Sequence, residues 1–241
     1  MKNLLIASTS TLFGGDYLEY LLPELRHHFT NCATVLFIPY ARPGGISHDL
    51  YTEKVKIAFQ NSNIEVVGLH EFENPSQAIE NAQGIFVGGG NTFLLVSQLY
   101  HFNIMTKLKE VVLAGTPYLG TSAGSNIIGI SMQNTNDMPI VHPPSFATLG
   151  GVPFNINAHY IDADARSIHM GETRETRIKE FHVFNETPVV GLREGSWLDV
   201  KGDAIILKGN LPAKLFTQNK IPLELQPNTN LNFLNKKNLK N

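Results

Sequence analysis

Short apolar runs alternating with amphipathic stretches leave this chain few folds to choose from. Residues 3–8, 34–39, 65–69, 85–87 and 117–119 read as strands, most of them apolar enough to be buried on both faces. Between them, residues 16–28, 47–60, 76–81 and 92–114 carry helical patterns, the last broken near Asn103. Such alternation builds βαβ units, so the expected fold class is α/β, a mainly parallel sheet with helices on both faces. Sites in these folds lie at the carboxyl ends of the strands, in the strand-to-helix turns.

The pattern changes after residue 130. Residues 134–151 are rich in Asn, Pro and Gly and read as a long ordered loop, a kind that is usually functional inside a compact domain. Helix returns over 172–181 and strand over 189–192. From Ser196, alternating apolar residues with turns at 201–203 and 208–210 predict antiparallel strands. Residues 1–227 are read as one α/β domain. Residues 228–241, with six Asn and three Lys, are read as a mobile tail.

Composition narrows the functional classes. Lys plus Arg is 19 and Asp plus Glu 21, so nothing electrostatic calls for nucleic acid or an anionic membrane as partner. Cys32 is the only cysteine, which excludes an internal disulfide and any zinc site with two thiolates. The apolar run at residues 4–7 is too short for a secretory segment, and no stretch approaches the ~20 apolar residues of a membrane span. A cytoplasmic protein is expected.

The segment richest in chemistry is G-T-S-A-G at 120–124, placed after a buried strand and before a helical pattern. That is the context a nucleophile elbow requires. Gly120 and Gly124 let strand and helix pack around a sharp turn that holds Ser122 at its tip, with the Ala123 N–H aimed where an oxyanion would form. The alternative is a turn in which Ser122 only caps a helix. Gly88-Gly89-Gly90-Asn91-Thr92 ends the strand at 85–87 without the lysine of a P-loop. We expect Gly89 to supply the second oxyanion donor.

A serine nucleophile needs a base, and nine histidines are present. Position in the pattern leaves His159 one of several candidates. A metal reading of His159, Asp162, Asp164 and His169 matches no named zinc spacing, so neither metal nor cofactor is expected. Asp137 and Glu194 could each fix the imidazole tautomer. Only fifteen residues separate Ser122 from Asp137, too few for an ordinary α/β-hydrolase.

Several separated motifs point further: F-I-P at 37–39, V-G-G-G-N-T-F at 87–93, G-T-S-A-G at 120–124, N-D-M-P-I-V at 136–141, I-N-x-H at 156–159, G-E-T-R-E at 171–175 and G-L-x-E-G-x-W at 191–197. With these the sequence resembles the peptidase E family, the α-aspartyl dipeptidases among serine peptidases, over roughly residues 3–225. The resemblance implies a class I glutamine-amidotransferase-like fold and hydrolysis of dipeptides with an N-terminal aspartate. It implies Ser122 as nucleophile and His159 as base, with Asp137 at the position of the charge-relay acid and Glu194 able to serve instead. Arg174, in G-E-T-R-E, is the expected partner of the substrate carboxylate, which must be paired if it is to be buried. A different serine hydrolase on this scaffold, such as an esterase or cyanophycinase-like peptidase, and an inactive small-ligand binding protein are the competing readings.

Overall fold

The computed structural model describes residues 1–164, 166, 168 and 170–235. His169 and the end of the expected tail, 236–241, lie outside the described residues.

Five strands form the parallel part of a seven-stranded sheet: β1 (Asn3–Ala7), β2 (Thr34–Ile38), β3 (Glu65–Gly68), β4 (Ile85–Val87) and β5 (Tyr118–Thr121), in the spatial order β3-β2-β4-β5-β1. The antiparallel hairpin β8 (Ser196–Lys201) and β9 (Ala204–Gly209) completes it beside β1. A second sheet, β11-β10-β7-β6, contains β6 (Asn155–Asn157), β7 (Val189–Gly191), β10 (Ala213–Phe216) and β11 (Leu223–Leu225). The fold is therefore α/β with a mainly parallel sheet, plus antiparallel strands toward the C-terminus, as expected.

Strand period sorts the core. Leu4 and Ile6 of β1 and Leu36 and Ile38 of β2 face one side. There they meet Ile79 of α3 (Pro75–Glu80), Leu95 and Leu99 of α4 (Thr92–His101), and Leu108 and Val112 of α5 (Met105–Ala114). Leu5, Ala7, Val35 and Phe37 face the other, against Leu25 of α1 (Leu22–His28) and Tyr51, Val55 and Phe59 of α2 (His48–Phe59). The break near Asn103 separates α4 from α5, with Asn103 at φ 55°.

Three expectations change. The helix expected from residue 16 begins at Leu22: Leu18 is left-handed at φ 61°, a 3-10 turn spans Glu19–Leu21, and Pro23 occupies the first turn. Proline lacks the N–H that a helix interior uses, so it sits where a helix starts. The helical pattern after Ser122 yields only α6 (Ala123–Asn126). The tail reading fails for residues 228–235, because Leu231 and Leu234 are buried and Asn230 bridges Ile206 of β9. Composition there is polar on average, but two well-placed leucines suffice to seat the segment.

Register brings the site together. Ala7, Thr121 and Val87 end their parallel strands at one edge of the sheet. Antiparallel β8 begins at that edge, with Trp197 opposite Ala7. In the second sheet β6 and β7 run parallel with Asn157 opposite Gly191, so the chain leaves both strands side by side.

Candidate active site

Ser122 stands between β5 and α6 at φ 54° and ψ −111°, a backbone conformation that costs energy in a non-glycine residue. Neighbouring strands hold it there: its N–H donates to the Ala7 carbonyl at 3.2 Å, and its own carbonyl accepts from Ser125 and Asn126 at 2.9 Å each. A Cβ at Gly124 would collide with the Val87 backbone carbonyl, so this turn admits only glycine. Gly89 lies directly across, where an added Cβ would come within 3.0 Å of the Ser122 Cβ. Tyr51 fixes that loop from below, its hydroxyl donating to the Gly89 carbonyl at 3.1 Å. The Ala123 N–H is the first of α6 and, like all first-turn donors, has no intrahelical acceptor.

His159 Nε2 lies 2.8 Å from Ser122 Oγ, and His159 Nδ1 lies 2.7 Å from Glu194 Oε1. The chain reaches this geometry through a second strained residue, since His159 has φ 54°. Among the described residues, seven non-glycines have positive φ and four of them are Asn; Leu18, Ser122 and His159 are the others. Asparagine and histidine enter this region more readily than most side chains, so Ser122 is the costlier member of the Ser122–His159 pair. Ser8 ties the parts together: its hydroxyl accepts from the His159 N–H at 2.9 Å and donates to the Leu192 carbonyl at 2.7 Å. Glu194 precedes Gly195, which turns the chain into β8 at φ 88°.

Asp137 is not against His159. Its Oδ2 accepts from the Thr92 N–H at 2.7 Å and from the Thr135 hydroxyl at 2.8 Å. The carboxylate thus sits at the N-terminus of α4, where backbone donors are free and the helix dipole favours negative charge. This corrects its expected place as relay acid; Glu194 occupies that place instead. Asp137 belongs to a polar mesh that sutures the 131–140 loop to β6. Asn126 donates to Thr92 and Thr135 and accepts from the Ala158 N–H at 3.2 Å. Asn157 donates to Asn134 and Asn136, and Asn155 to Asn134. The long loop is ordered by buried asparagine amides, each of which offers both donor and acceptor.

Beside His159 and Glu194 opens a cavity of about 370 Å³ that Tyr160, Asp162, Arg174 and Arg193 also line. Arg174 is the first residue of α7 (Arg174–Phe184), which Thr173 caps by accepting from the Thr176 N–H at 3.1 Å. Its Nη1 is buried without a hydrogen-bond partner among the described residues. Burial lowers its pKa, which the charge of Glu194 partly restores. Arg193, by contrast, is saturated. It makes two hydrogen bonds to Asp162 and two to Glu224, all between 2.7 and 2.9 Å, and one to the Pro212 carbonyl. Its hydrogen bonds to Glu224, opposed by burial and aided by Asp162, hold its pKa above the usual arginine value. Lys214 extends the network by bridging Asp162 and Glu175 at 3.3 and 3.0 Å.

The structure therefore brings together Ser122, His159, Glu194, Gly89, Ala123 and Arg174, and sets Asp137 apart. Sequence reasoning missed Ser8, Asn126 and Tyr160. Polar residues at the end of a buried strand (Ser8) or inside an apolar helical pattern (Asn126) were the available signals. Among the described residues no group of three or more His, Cys, Asp or Glu is disposed to hold a metal ion.

The family model described as Peptidase family S51 matches residues 4–208. A peptidase E of Streptomyces coelicolor is 47% identical over 232 residues, covering 96% of this chain and 94% of that protein. A Drosophila melanogaster protein named "Probable alpha-aspartyl dipeptidase" is 47% identical over 236 residues, covering 97% of each. Among solved structures, a peptidase from an acI-B1 Actinobacterium shares the fold with a TM-score of 0.70 at 14% identity, over 96% of each chain.

Proposed function

The chain belongs to peptidase family S51, and from that premise we propose that it is a serine dipeptidase cleaving dipeptides after an N-terminal aspartate. The observation that carries this reading is the continuous relay Ser122–His159–Glu194, at 2.8 and 2.7 Å, beside a cavity lined by Arg174, whose buried Nη1 has no partner among the described residues. In the proposed mechanism, Ser122 Oγ attacks the carbonyl carbon of the aspartyl residue and passes its proton to His159 Nε2. Glu194 accepts the Nδ1–H bond, which selects the tautomer with a free Nε2 lone pair and stabilises the imidazolium that follows. The new oxyanion faces the N–H groups of Ala123 and Gly89, donors held in place before the reaction begins. His159 then protonates the leaving amine, the peptide C–N bond breaks, and water hydrolyses the acyl-enzyme with His159 as base once more.

Arg174 supplies the specificity. An aspartyl side chain entering the cavity needs a cation there, because burying a carboxylate unpaired costs several kcal/mol. Arg193 cannot serve, since its donors are already engaged by Asp162, Glu224 and Pro212. The relative whose name specifies aspartyl dipeptides supports the same substrate class. Among the described residues no helix is long and apolar enough to cross a membrane. With a single cysteine, buried Cys32, the chain suits a reducing compartment, and the cytoplasm is the proposed location.

The test is hydrolysis of Asp-Leu beside Asn-Leu, Glu-Leu and Leu-Asp, with the native protein and Ser122→Ala. Cleavage of Asp-Leu alone, reduced by about 10⁴-fold or more in the variant, is expected. Equal cleavage of Asn-Leu would remove the carboxylate pocket, and undiminished cleavage by Ser122→Ala would remove the nucleophile.

A further inference from the structure

A second residue lining the same cavity carries a donor without a partner among the described residues. Tyr160 is 3% exposed, yet its hydroxyl makes no hydrogen bond among the described residues. A buried polar atom left unpaired costs about 1–3 kcal/mol and calls for an explanation. The ring is fixed: it packs against Phe216 with centroids 5.7 Å apart and lies under the Arg193 guanidinium at 5.6 Å. It also covers Gly191, where an added Cβ would meet ring carbons at 2.7 Å. Packing accounts for the ring but not for the oxygen.

The nearby acids do not claim the hydroxyl. Asp162 is engaged by Arg193 and Lys214. Glu175 is engaged by Lys179 and Lys214. Two residues that line the cavity next to His159 and Glu194 thus each hold a buried donor unclaimed among the described residues, Nη1 of Arg174 and the Tyr160 hydroxyl. A carboxylate has two oxygens and only acceptor capacity, so it is the ligand class that satisfies both at once. We propose that Tyr160 is a specificity-determining residue whose hydroxyl, together with Arg174, receives the side-chain carboxylate of the substrate. The proposal rests on the aspartyl-dipeptidase reading and extends it: Arg174 neutralises the charge, while Tyr160 holds the second oxygen and so sets how deep the carboxylate sits.

Tyr160→Phe keeps the ring and removes only the oxygen. The measurements are KM and kcat for Asp-Leu, the Ki of L-aspartate as competing product, and the thermal midpoint. KM and Ki are expected to rise together about tenfold, the loss of one hydrogen bond to a charged group, with kcat within twofold and the midpoint equal to or above the native one, since an unpaired buried oxygen is removed. Arg174→Met should raise both by a larger factor. An active native enzyme whose Tyr160→Phe variant keeps the native KM and Ki would overturn this proposal alone, as would a variant that loses kcat and thermal stability while KM holds. A native enzyme that leaves Asp-Leu intact would overturn the aspartyl reading and this proposal with it.

Discussion

Ser122 and its partners reach the same point in space by opposite routes. The serine is built by one short stretch of chain, in which buried β5 turns on two glycines into α6 and the neighbouring strands β1 and β4 clamp the turn. His159 lies 37 residues from Ser122, and Glu194 a further 35 from His159. These two rest on loops beyond β6 and β7, fastened by side chains: Ser8 under His159, the asparagine mesh behind β6, and Arg193 beside Glu194. The first region is specified by backbone sterics and strand register. The second is specified by polar pairing across the tertiary structure. Damage to the first should cost stability, and damage to the second should cost activity first.

The sharpest test of that contrast lies between the two acids. Glu194→Gln should lower kcat by about 10³- to 10⁴-fold with little change in stability, because an amide cannot hold the imidazolium or enforce its tautomer. Asp137→Asn should cost less than about tenfold, since an amide oxygen can still accept from Thr92 and Thr135. Steady-state kinetics on Asp-Leu with both variants decide it, and a reversed order would return the relay role to Asp137.

His28 probes the other region by pH. Its ring is buried and its Nε2 meets the Tyr118 carbonyl at 3.1 Å, at the start of β5, while Nδ1 has no partner among the described residues. Burial first, and Lys201 next, push its pKa down to about 3. Above the ordinary value near 6.5 the ring is neutral both folded and unfolded, so it creates no pH slope. Between about 6.5 and 3 the unfolded chain takes a proton that the folded one refuses. Stability should therefore fall as pH drops through this window, by on the order of 5 kcal/mol from this group, and level off below it. Guanidinium unfolding at pH 7 and pH 4 should show a smaller difference for His28→Gln than for the native protein.

Gly124→Ala should cost less stability than the acid window of His28, but the loss is the least reparable. Its methyl group meets the Val87 backbone carbonyl rather than a movable side chain. A loss of about 3 kcal/mol is expected, together with activity, because the elbow must shift. A variant as stable and active as the native protein would mean that the turn is not held as tightly as its packing implies.

Much of the first region was legible along the chain. Strand and helix periodicity led to the parallel sheet, and G-T-S-A-G after a buried strand led to the elbow, because both signals are local. The resemblance to the peptidase E family is borne out by the family match and by relatives 47% identical over nearly the whole chain. Local reading failed where one residue outweighed an average. Pro23 moved the start of α1, and Leu231 and Leu234 seated a segment whose composition looked like a tail.

Read along the chain, the residues were enough for the α/β class, the strained serine and the short set from which its partners had to come. Hydrophobic period and glycine placement act over a few neighbouring residues and survive without a fold. Only the packed chain puts the Glu194 carboxylate against His159 and the Asp137 carboxylate at the N-terminus of α4. It also engages Arg193 and leaves Arg174 Nη1 and the Tyr160 hydroxyl without partners among the described residues. Hydrogen bonds and ion pairs form within about 3–4 Å, and no spacing along the chain says which groups the sheet register will bring that close.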